Sequence, residues 1–258
     1  MGDKVILHFG KDFEIEIDEE KLPETAEVVK TLDKNEEVSI YDLALSFQNC
    51  DLAKDMPREI FDFIVSAYEK EIEKGNADAM LDLGGLYYHG RGCEQNFSKA
   101  VYYYKMAAEH GNRRAQENLG YCYYYGRDMP VNYEKAFHYF ALGAFDGWVN
   151  SLYKIGDMYR NGYYVEKNLN EAFRIYKRCE SMLYSNDKQW VAGPVYLRLG
   201  NAYFNGEGTK ANYKMALEYF QEAELYLYDM IKDGDYMYKK SLRAAIEGQE
   251  RARAQLAA

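Results

Sequence analysis

A short motif that returns four times along the chain restricts the fold more than any other feature. Each copy has an aliphatic residue followed directly by glycine, a tyrosine four positions after the aliphatic residue and a second glycine seven positions after it. The copies begin at Leu83, Leu119, Ile155 and Leu199, which are 36, 36 and 44 residues apart. A fixed period of this length indicates stacked supersecondary units that bury their apolar faces against their neighbours.

The residues that follow each copy of the motif form a second repeated pattern. An asparagine is followed by alanine four positions later, an aromatic residue after eight and a small residue after eleven; these asparagines are Asn96, Asn132, Asn168 and Asn212. Asparagine is a preferred helix N-cap, and Glu171 stands at the capping-box distance from Asn168. The glycine that closes each motif suits a helix C-terminus, where positive φ is required. Each repeat is therefore predicted to be a helix, a glycine-containing loop and an Asn-capped second helix.

These motifs carry a family resemblance. The first copy reads A-x-x-x-L-G-x-x-Y-x-x-G from Ala79 to Gly90, and its second helix opens with N-x-x-K-A. The pattern resembles the Sel-one-like repeat family, relatives of the tetratricopeptide repeats, over residues 75–234. Ser151 and Val195 replace the leading alanine in the third and fourth copies, and residues 181–193 form an insertion. The resemblance implies an all-α fold, a right-handed α/α superhelical solenoid of about four helix pairs.

The sequence on either side of the repeats is predicted to lead into the array and to cap it. Val5–Phe9 and Phe13–Asp18 flank a short turn, and apolar and acidic residues alternate in the second segment, which predicts a β-hairpin. Residues 24–32 and 41–49 are predicted short helices, and Pro57 suits the first turn of a longer one. The predicted organisation is an acidic lead-in at 1–56, an N-capping helix at 57–74, repeats at 75–110, 111–146, 147–190 and 191–233, and a C-terminal capping helix at 235–258.

Charge is distributed unevenly along the chain. Residues 1–74 contain 20 Asp and Glu against 9 Lys and Arg, whereas the remainder contains 22 against 23. This acidic balance argues against nucleic acid and anionic membranes as partners. The basic residues between positions 239 and 253 are interpreted as a solvated helix face. Neither a signal-peptide pattern nor an apolar run of membrane-spanning length is present, which predicts a cytoplasmic protein.

Residues that could carry chemistry lack the spacing that chemistry needs. The four histidines and four cysteines form no metal-ligand pattern, and Cys122 and Cys179 fall at repeat positions that predict buried core thiols. Gly90-x-Gly92 lacks the third glycine of a dinucleotide-binding motif and follows a predicted helix. Neither Ser nor Cys stands in a nucleophile motif. We therefore predict a non-enzymatic protein with no catalytic residue, no cofactor and no metal.

The candidate binding residues follow from the resemblance to tetratricopeptide repeats. It implies that the first helices line a concave face, and that positions two, five and six residues after the motif's aliphatic residue point into it. Those positions hold Gly85, Tyr88, His89, Tyr121, Tyr124, Tyr125, Asp157, Arg160, Asn161, Asn201, Phe204 and Asn205. Tyr and Arg are the residue types that dominate binding hot spots. The alternative interpretation is that Tyr124 and Tyr125 pack between adjacent repeats.

Two classes of function follow. The first is a scaffold or adaptor, expected to be a monomer, that binds a protein or peptide segment in the concave groove and does no chemistry. The second is a small-ligand sensor or enzyme whose active region lies in residues 1–56. The first is favoured because those 56 residues lack paired His or Cys and glycine-rich elements.

Overall fold

The computed structural model describes residues 4–9, 13–18, 40–49, 58–185, 191–232 and 236–257, together with the single positions 20, 23 and 56. The predicted helix at 24–32 and the predicted role of Pro57 lie outside these residues. The chain divides into two compact units, residues 1–131 (unit 1) and residues 132–258 (unit 2). Across the described ranges, none of the helices combines the length and the apolar character needed to cross a membrane.

The described part of unit 1 consists of a β-hairpin followed by helices. Strands β1 (Lys4–Phe9) and β2 (Phe13–Asp18) pair antiparallel, with Val5 opposite Ile17. Within unit 1, consecutive helices pack against each other. The helices are α1 (Ile40–Asn49), α2 (Arg58–Glu73), α3 (Ala77–His89), α4 (Phe97–Glu109) and α5 (Arg113–Tyr125).

The described part of unit 2 is helical. Each of its helices also packs against the next, and α9 contacts α11 in addition to α10. The helices are α6 (Tyr133–Phe145), α7 (Val149–Asn161), α8 (Leu169–Ser185), α9 (Ala192–Asn205), α10 (Tyr213–Lys232) and α11 (Lys239–Ala257), with a 3-10 turn at Tyr236–Tyr238 before α11. Helices α3, α5, α7 and α9 carry the motif, and α4, α6, α8 and α10 are their Asn-capped partners.

The predicted helix ends are confirmed. The glycines that close the four motifs have φ between 67° and 73° and cap the first helices. Each predicted N-cap asparagine accepts a bond from the backbone N–H three residues later. The capping-box interpretation of Asn168 and Glu171 is wrong, because the Asn168 N–H donates to the Tyr159 carbonyl at 2.8 Å and Glu171 accepts a bond from Arg174. The N–H that a capping box would satisfy is already bonded to the preceding helix.

A glycine in the middle of the first helix allows the two helices of the first, third and fourth repeats to approach closely. A Cβ added at Gly84 would lie 2.7 Å from the ring of Tyr104, and one added at Gly200 would lie 2.6 Å from the ring of Phe220. Tyr104 and Phe220 occupy the predicted aromatic position of the second helix, and both are buried. The Leu-Gly pair therefore marks the packed side of the first helix, where a side chain has no room.

The predicted core thiols are confirmed at two positions. Cys122 and Cys179 are free and fully buried. Burial raises the pKa of each thiol to about 12, so neither is a thiolate at neutral pH. In α2, Ile64 and Tyr68 are buried as well, at the positions that correspond to Ala100 and Tyr104 one period later.

Candidate functional site

Tyr88 and His89 close helix α3 in unit 1. The Tyr88 ring lies 5.3 Å from the Phe97 ring and 6.2 Å from the Tyr104 ring, so it is half-buried. Burial raises the pKa of the Tyr88 hydroxyl, and a hydrogen bond and charge from Arg127 act in the opposite direction. His89, with its ring 5.2 Å from that of Tyr88, is exposed to solvent. Tyr88 therefore contributes to packing, while His89 is available at the surface.

Helix α5 presents a cluster of three tyrosines. Tyr121 and Tyr125 stack with their ring centres 6.4 Å apart and their planes 9° apart, and Tyr124 meets Tyr125 edge-on at 4.9 Å. Tyr125 is 47% exposed, whereas Tyr121 and Tyr124 are half-buried. The guanidinium of Arg127 lies 4.5 Å from the centre of the Phe97 ring and 5.9 Å from that of Tyr125. A cation held against aromatic rings stabilises this arrangement.

We call Tyr88, His89, Tyr121, Tyr124 and Tyr125 the tyrosine face of unit 1. Its members occupy equivalent positions of α3 and α5. Phe97 joins the two helix ends, since its ring lies 5.3 Å from that of Tyr88 and 4.5 Å from the guanidinium of Arg127, which also contacts Tyr125. Large rings with a polar hydroxyl or imidazole at the surface are suited to protein recognition because they combine contact area with hydrogen bonding.

In unit 2, Asp157 of α7 lies in a buried ion pair. Nε and Nη2 of Arg198 in α9 donate to its two carboxylate oxygens at 2.6 and 2.5 Å, and the hydroxyl of Tyr176 in α8 donates to one of them at 2.9 Å. Burial on its own would raise the pKa of the Asp157 carboxyl, but Arg198 and Lys154 outweigh burial and lower it. Both oxygens are therefore engaged inside the unit, and Asp157 holds α7 to α8 and α9.

Two further cations complete this buried network. The Nζ of Lys154 lies 3.8 Å from the Asp157 carboxylate, and burial lowers the pKa of that ammonium to about 8. The guanidinium of Arg198 lies 4.3 Å from the centre of the Tyr153 ring. A buried charge needs a partner of opposite sign because desolvation penalises the ionised form. Asp157 supplies that partner for both cations.

Arg160 of α7 is also committed within unit 2. Its Nε and Nη2 donate to the two carboxylate oxygens of Glu207 at 2.6 and 2.9 Å, and the amide of Asn205 donates to Glu207 at 3.3 Å. The Arg160 side chain is 37% exposed and that of Glu207 22%. This bidentate pair joins the end of α7 to the loop after α9, and Arg160 remains accessible from one side.

The other predicted residues of unit 2 lie at or near the surface. The amides of Asn161 and Asn201 donate to backbone carbonyls four residues earlier in their own helices, at 2.8 and 2.9 Å. Asn161 and Asn205 are exposed, and Asn201 is half-buried. The Phe204 ring lies 5.5 Å from the Tyr213 ring and 4.7 Å from the Arg251 guanidinium. Within unit 2, the exposed amides are thus the predicted residues most accessible to a partner.

Three residues that hold the predicted binding residues in place were not predicted from the sequence. They are Arg127, Arg198 and Glu207. One signal was present in the sequence. Asp157 is the acidic member of a repeat position that otherwise holds Gly85, Tyr121 and Asn201, and an isolated charge at such a position requires a partner if it is buried.

Comparison with known proteins identifies the repeat. Residues 77–112, 113–144, 149–178 and 194–224 match the family model described as Sel1 repeat, and together they make up half of the chain. No curated protein matches the sequence.

Two solved structures are similar to this chain. One, a protective antigen present in uropathogenic Escherichia coli strains, displays an SLR fold and aligns with 20% identity and a TM-score of 0.52 over 90% of this chain and 56% of that one. The chain thus spans little more than half the length of that antigen. The other, a Sel1 repeat protein from Oxalobacter formigenes, aligns with 26% identity and a TM-score of 0.51 over 71% of this chain and 76% of that one.

These findings agree with the predicted helical-repeat fold and with the predicted family. Sel1 repeats are generally protein–protein interaction modules, which supports proteins as the class of partner. The repeated helix pairs, their glycine and asparagine caps and the four matched segments together show that this chain belongs to the Sel1 repeat family.

Proposed function

We propose that this protein is a non-enzymatic scaffold or adaptor that binds a peptide or protein segment on its first helices. The observation that carries the proposal is the tyrosine face of unit 1, where stacked rings reach solvent beside a fixed arginine. Aromatic side chains with 47% of their surface exposed, as for Tyr125, leave apolar area in water that a partner can bury.

The proposed binding surface differs between the two units. In unit 1 the tyrosine face makes direct contact with the partner. In unit 2 the exposed amides of Asn161 and Asn205, together with Asn201 and Phe204, make the direct contacts. Asp157 and Arg160 act indirectly there, because their charged groups are bound to Arg198 and Glu207. Leaving the buried Asp157 carboxylate without its partner is costly, so its pair with Arg198 is expected to persist when a ligand binds. The Arg160–Glu207 pair is held by its bidentate geometry.

The alternative function has less support. A sensor or enzyme centred on residues 1–56 is favoured by no observation in the part of that segment that the structure describes. We also propose a cytoplasmic location and a monomeric state for the adaptor.

An affinity capture from a lysate of the source organism tests the proposal. The parent is compared with a Tyr121→Ala/Tyr124→Ala/Tyr125→Ala variant, whose helical content is first verified by circular dichroism. A Tyr102→Ala/Tyr228→Ala variant serves as the matched control, since these tyrosines are 58% and 61% exposed and lie outside the tyrosine face.

We expect a protein that the parent and the control retain and the triple variant loses. Equal retention by all three would place binding elsewhere on the chain. Retention of nothing by the parent would contradict the adaptor proposal for the proteins present in that lysate, and turnover assays would then be directed at residues 1–56.

A further inference from the structure

A cavity of 390 Å³ opens on unit 2 where α8, α9 and α10 meet, and none of the predicted binding residues lines it. Its lining combines carboxylates with aromatic rings and a thioether, and consists of Glu180, Tyr196, Met215, Glu218, Tyr219 and Glu222. The volume is near the lower limit of ligand pockets, about 300–1,000 Å³, and leaves room for one side chain rather than a folded element.

The cavity is negatively charged. Glu180 is bound by Lys177, whose Nζ also lies 3.1 Å from the Tyr219 hydroxyl, and that hydroxyl donates to Glu180 at 2.7 Å. Glu218 and Glu222 are exposed, and no residue in the described part of the chain forms an ion pair with either. Two of the three carboxylates therefore keep their charge uncompensated, and a cation would be attracted to that end of the cavity.

The aromatic lining favours the same kind of ligand. The Tyr196 ring lies 5.9 Å from the Tyr219 ring and 5.7 Å from the Tyr226 ring. Lys177 already places its ammonium 5.7 Å from the centre of the Tyr219 ring. The faces of aromatic rings attract cations. The thioether of Met215 can pack against the aliphatic part of a lysine or arginine side chain. Unit 2 therefore already holds one ammonium group, that of Lys177, against the ring of Tyr219, and a cation bound in the cavity would contact the same kind of ring.

An apolar side chain extends the surface beyond the cavity. Residues three and four apart lie on one side of a helix, and Glu218, Glu222 and Leu225 follow one another at steps of four and three, so Leu225 lies on the same side of α10 as the two carboxylates. Leu225 is 57% exposed. A bound segment could therefore set a cationic side chain in the cavity and an apolar neighbour on Leu225.

We propose that this cavity binds an arginine or lysine side chain from a basic segment of a partner protein. Charge complementarity decides the occupant, because the uncompensated carboxylates repel an acidic segment and attract a basic one. The proposal goes beyond the adaptor function: it uses none of the residues of the tyrosine face, so either surface can fail its test without affecting the other.

The test is a titration of the 15N-labelled full chain, followed by NMR, with a capped Gly-Leu-Arg-Leu-Gly peptide. The same peptide with lysine in place of arginine distinguishes the two cations, and the citrulline version keeps the shape of arginine without its charge. The variant Glu218→Gln/Glu222→Gln removes the two carboxylates. Glu134→Gln/Glu166→Gln removes the same charge from other exposed positions of unit 2.

We expect the arginine or lysine peptide to shift amide signals of α8–α10 in the parent, and Glu218→Gln/Glu222→Gln to weaken binding at least about tenfold. The control should change the affinity by less than about twofold, because distant exposed charges are screened. The proposal is overturned if neither cationic peptide binds the parent, if the citrulline peptide binds as well as they do, or if both variants weaken binding equally.

Discussion

The two units fill equivalent repeat positions with different chemistry. Two residues after the motif's aliphatic residue, unit 1 has Tyr121 and unit 2 has Asp157; five residues after it, they have Tyr124 and Arg160. The tyrosines are half-buried against other rings, whereas the charged residues form bidentate pairs with Arg198 and Glu207 of the fourth repeat.

This difference shows that the repeat determines where a side chain lies but not what it does there. An aromatic side chain can remain exposed at the surface, where it is accessible to a binding partner. A charge that becomes buried needs a partner within the fold, because desolvation penalises it. Equivalent positions can thus serve recognition in one unit and hold adjacent helices together in the other.

The largest expected effect comes from breaking the buried ion pair of unit 2. Arg198→Leu leaves the Asp157 carboxylate buried without its bidentate partner, and we expect it to lower the free energy of unfolding by about 3–5 kcal/mol. Chemical denaturation measures this change.

A second variant controls for the altered packing. Lys154→Met/Asp157→Leu/Arg198→Leu removes all three buried charges and should recover part of the loss, since a buried ionic cluster can be replaced by apolar residues at little net cost. If this triple variant is less stable than Arg198→Leu, the loss does not come from the orphaned charge.

A smaller effect is expected on the packed side of α3 in unit 1. Gly84→Ala should lower the free energy of unfolding by about 1–3 kcal/mol, because the new methyl group meets the Tyr104 ring. The neighbouring Gly85 has no atom within 4 Å of an added Cβ, so Gly85→Ala should raise stability by up to about 1 kcal/mol. Thermal unfolding that ranks the two variants in the opposite order would show that the packed and open sides of the helix are assigned incorrectly.

The pH dependence of stability tests the charge network. The folded-state pKa of Lys154 is about 8, below the ordinary value of 10.5, so between these values the unfolded chain binds the proton that the folded chain has lost. The free energy of unfolding attributable to Lys154 therefore rises with pH across this window and is lowest below it.

Comparison with Lys154→Met isolates this contribution, because tyrosine ionisation is common to both proteins. We expect the melting temperature of the parent, relative to that of the variant, to increase as the pH is raised from 8 to 10.5. A constant or decreasing difference would mean that the ammonium is not destabilised by burial.

The smallest effect on stability is expected at the tyrosine face. Tyr125→Ala should change the free energy of unfolding by less than about 1 kcal/mol, because nearly half of the side chain is exposed. Tyr104→Ala, at a buried ring of the same unit, should cost about 3–5 kcal/mol. Similar losses for the two variants would favour the interpretation that Tyr125 packs between repeats.

Features that depend on local chemistry could be predicted from the sequence. The asparagine caps, the glycine C-caps and the buried Tyr104 follow from which residues tolerate a helix end or a close helix contact. The sequence period then placed the helices of all four repeats in order.

Features that depend on contacts between side chains far apart in the sequence could not be predicted. Asp157 and Arg198 are 41 residues apart, and their pairing requires the distance between α7 and α9, which the repeat period leaves open. The capping box failed for a related reason, since the Asn168 N–H had an acceptor in the preceding helix. The cavity on α8–α10 likewise depends on three helices meeting.

The division of roles between the two units is tested most directly by comparing Tyr121→Ala with Asp157→Ala, two substitutions at equivalent positions of neighbouring repeats, by differential scanning calorimetry. We predict that Asp157→Ala lowers the melting temperature by roughly 6–20 °C, from a loss of about 3–5 kcal/mol, whereas Tyr121→Ala lowers it by only a few degrees. Equal decreases, or an Asp157→Ala variant that melts with the parent, would contradict the division of roles between the two units.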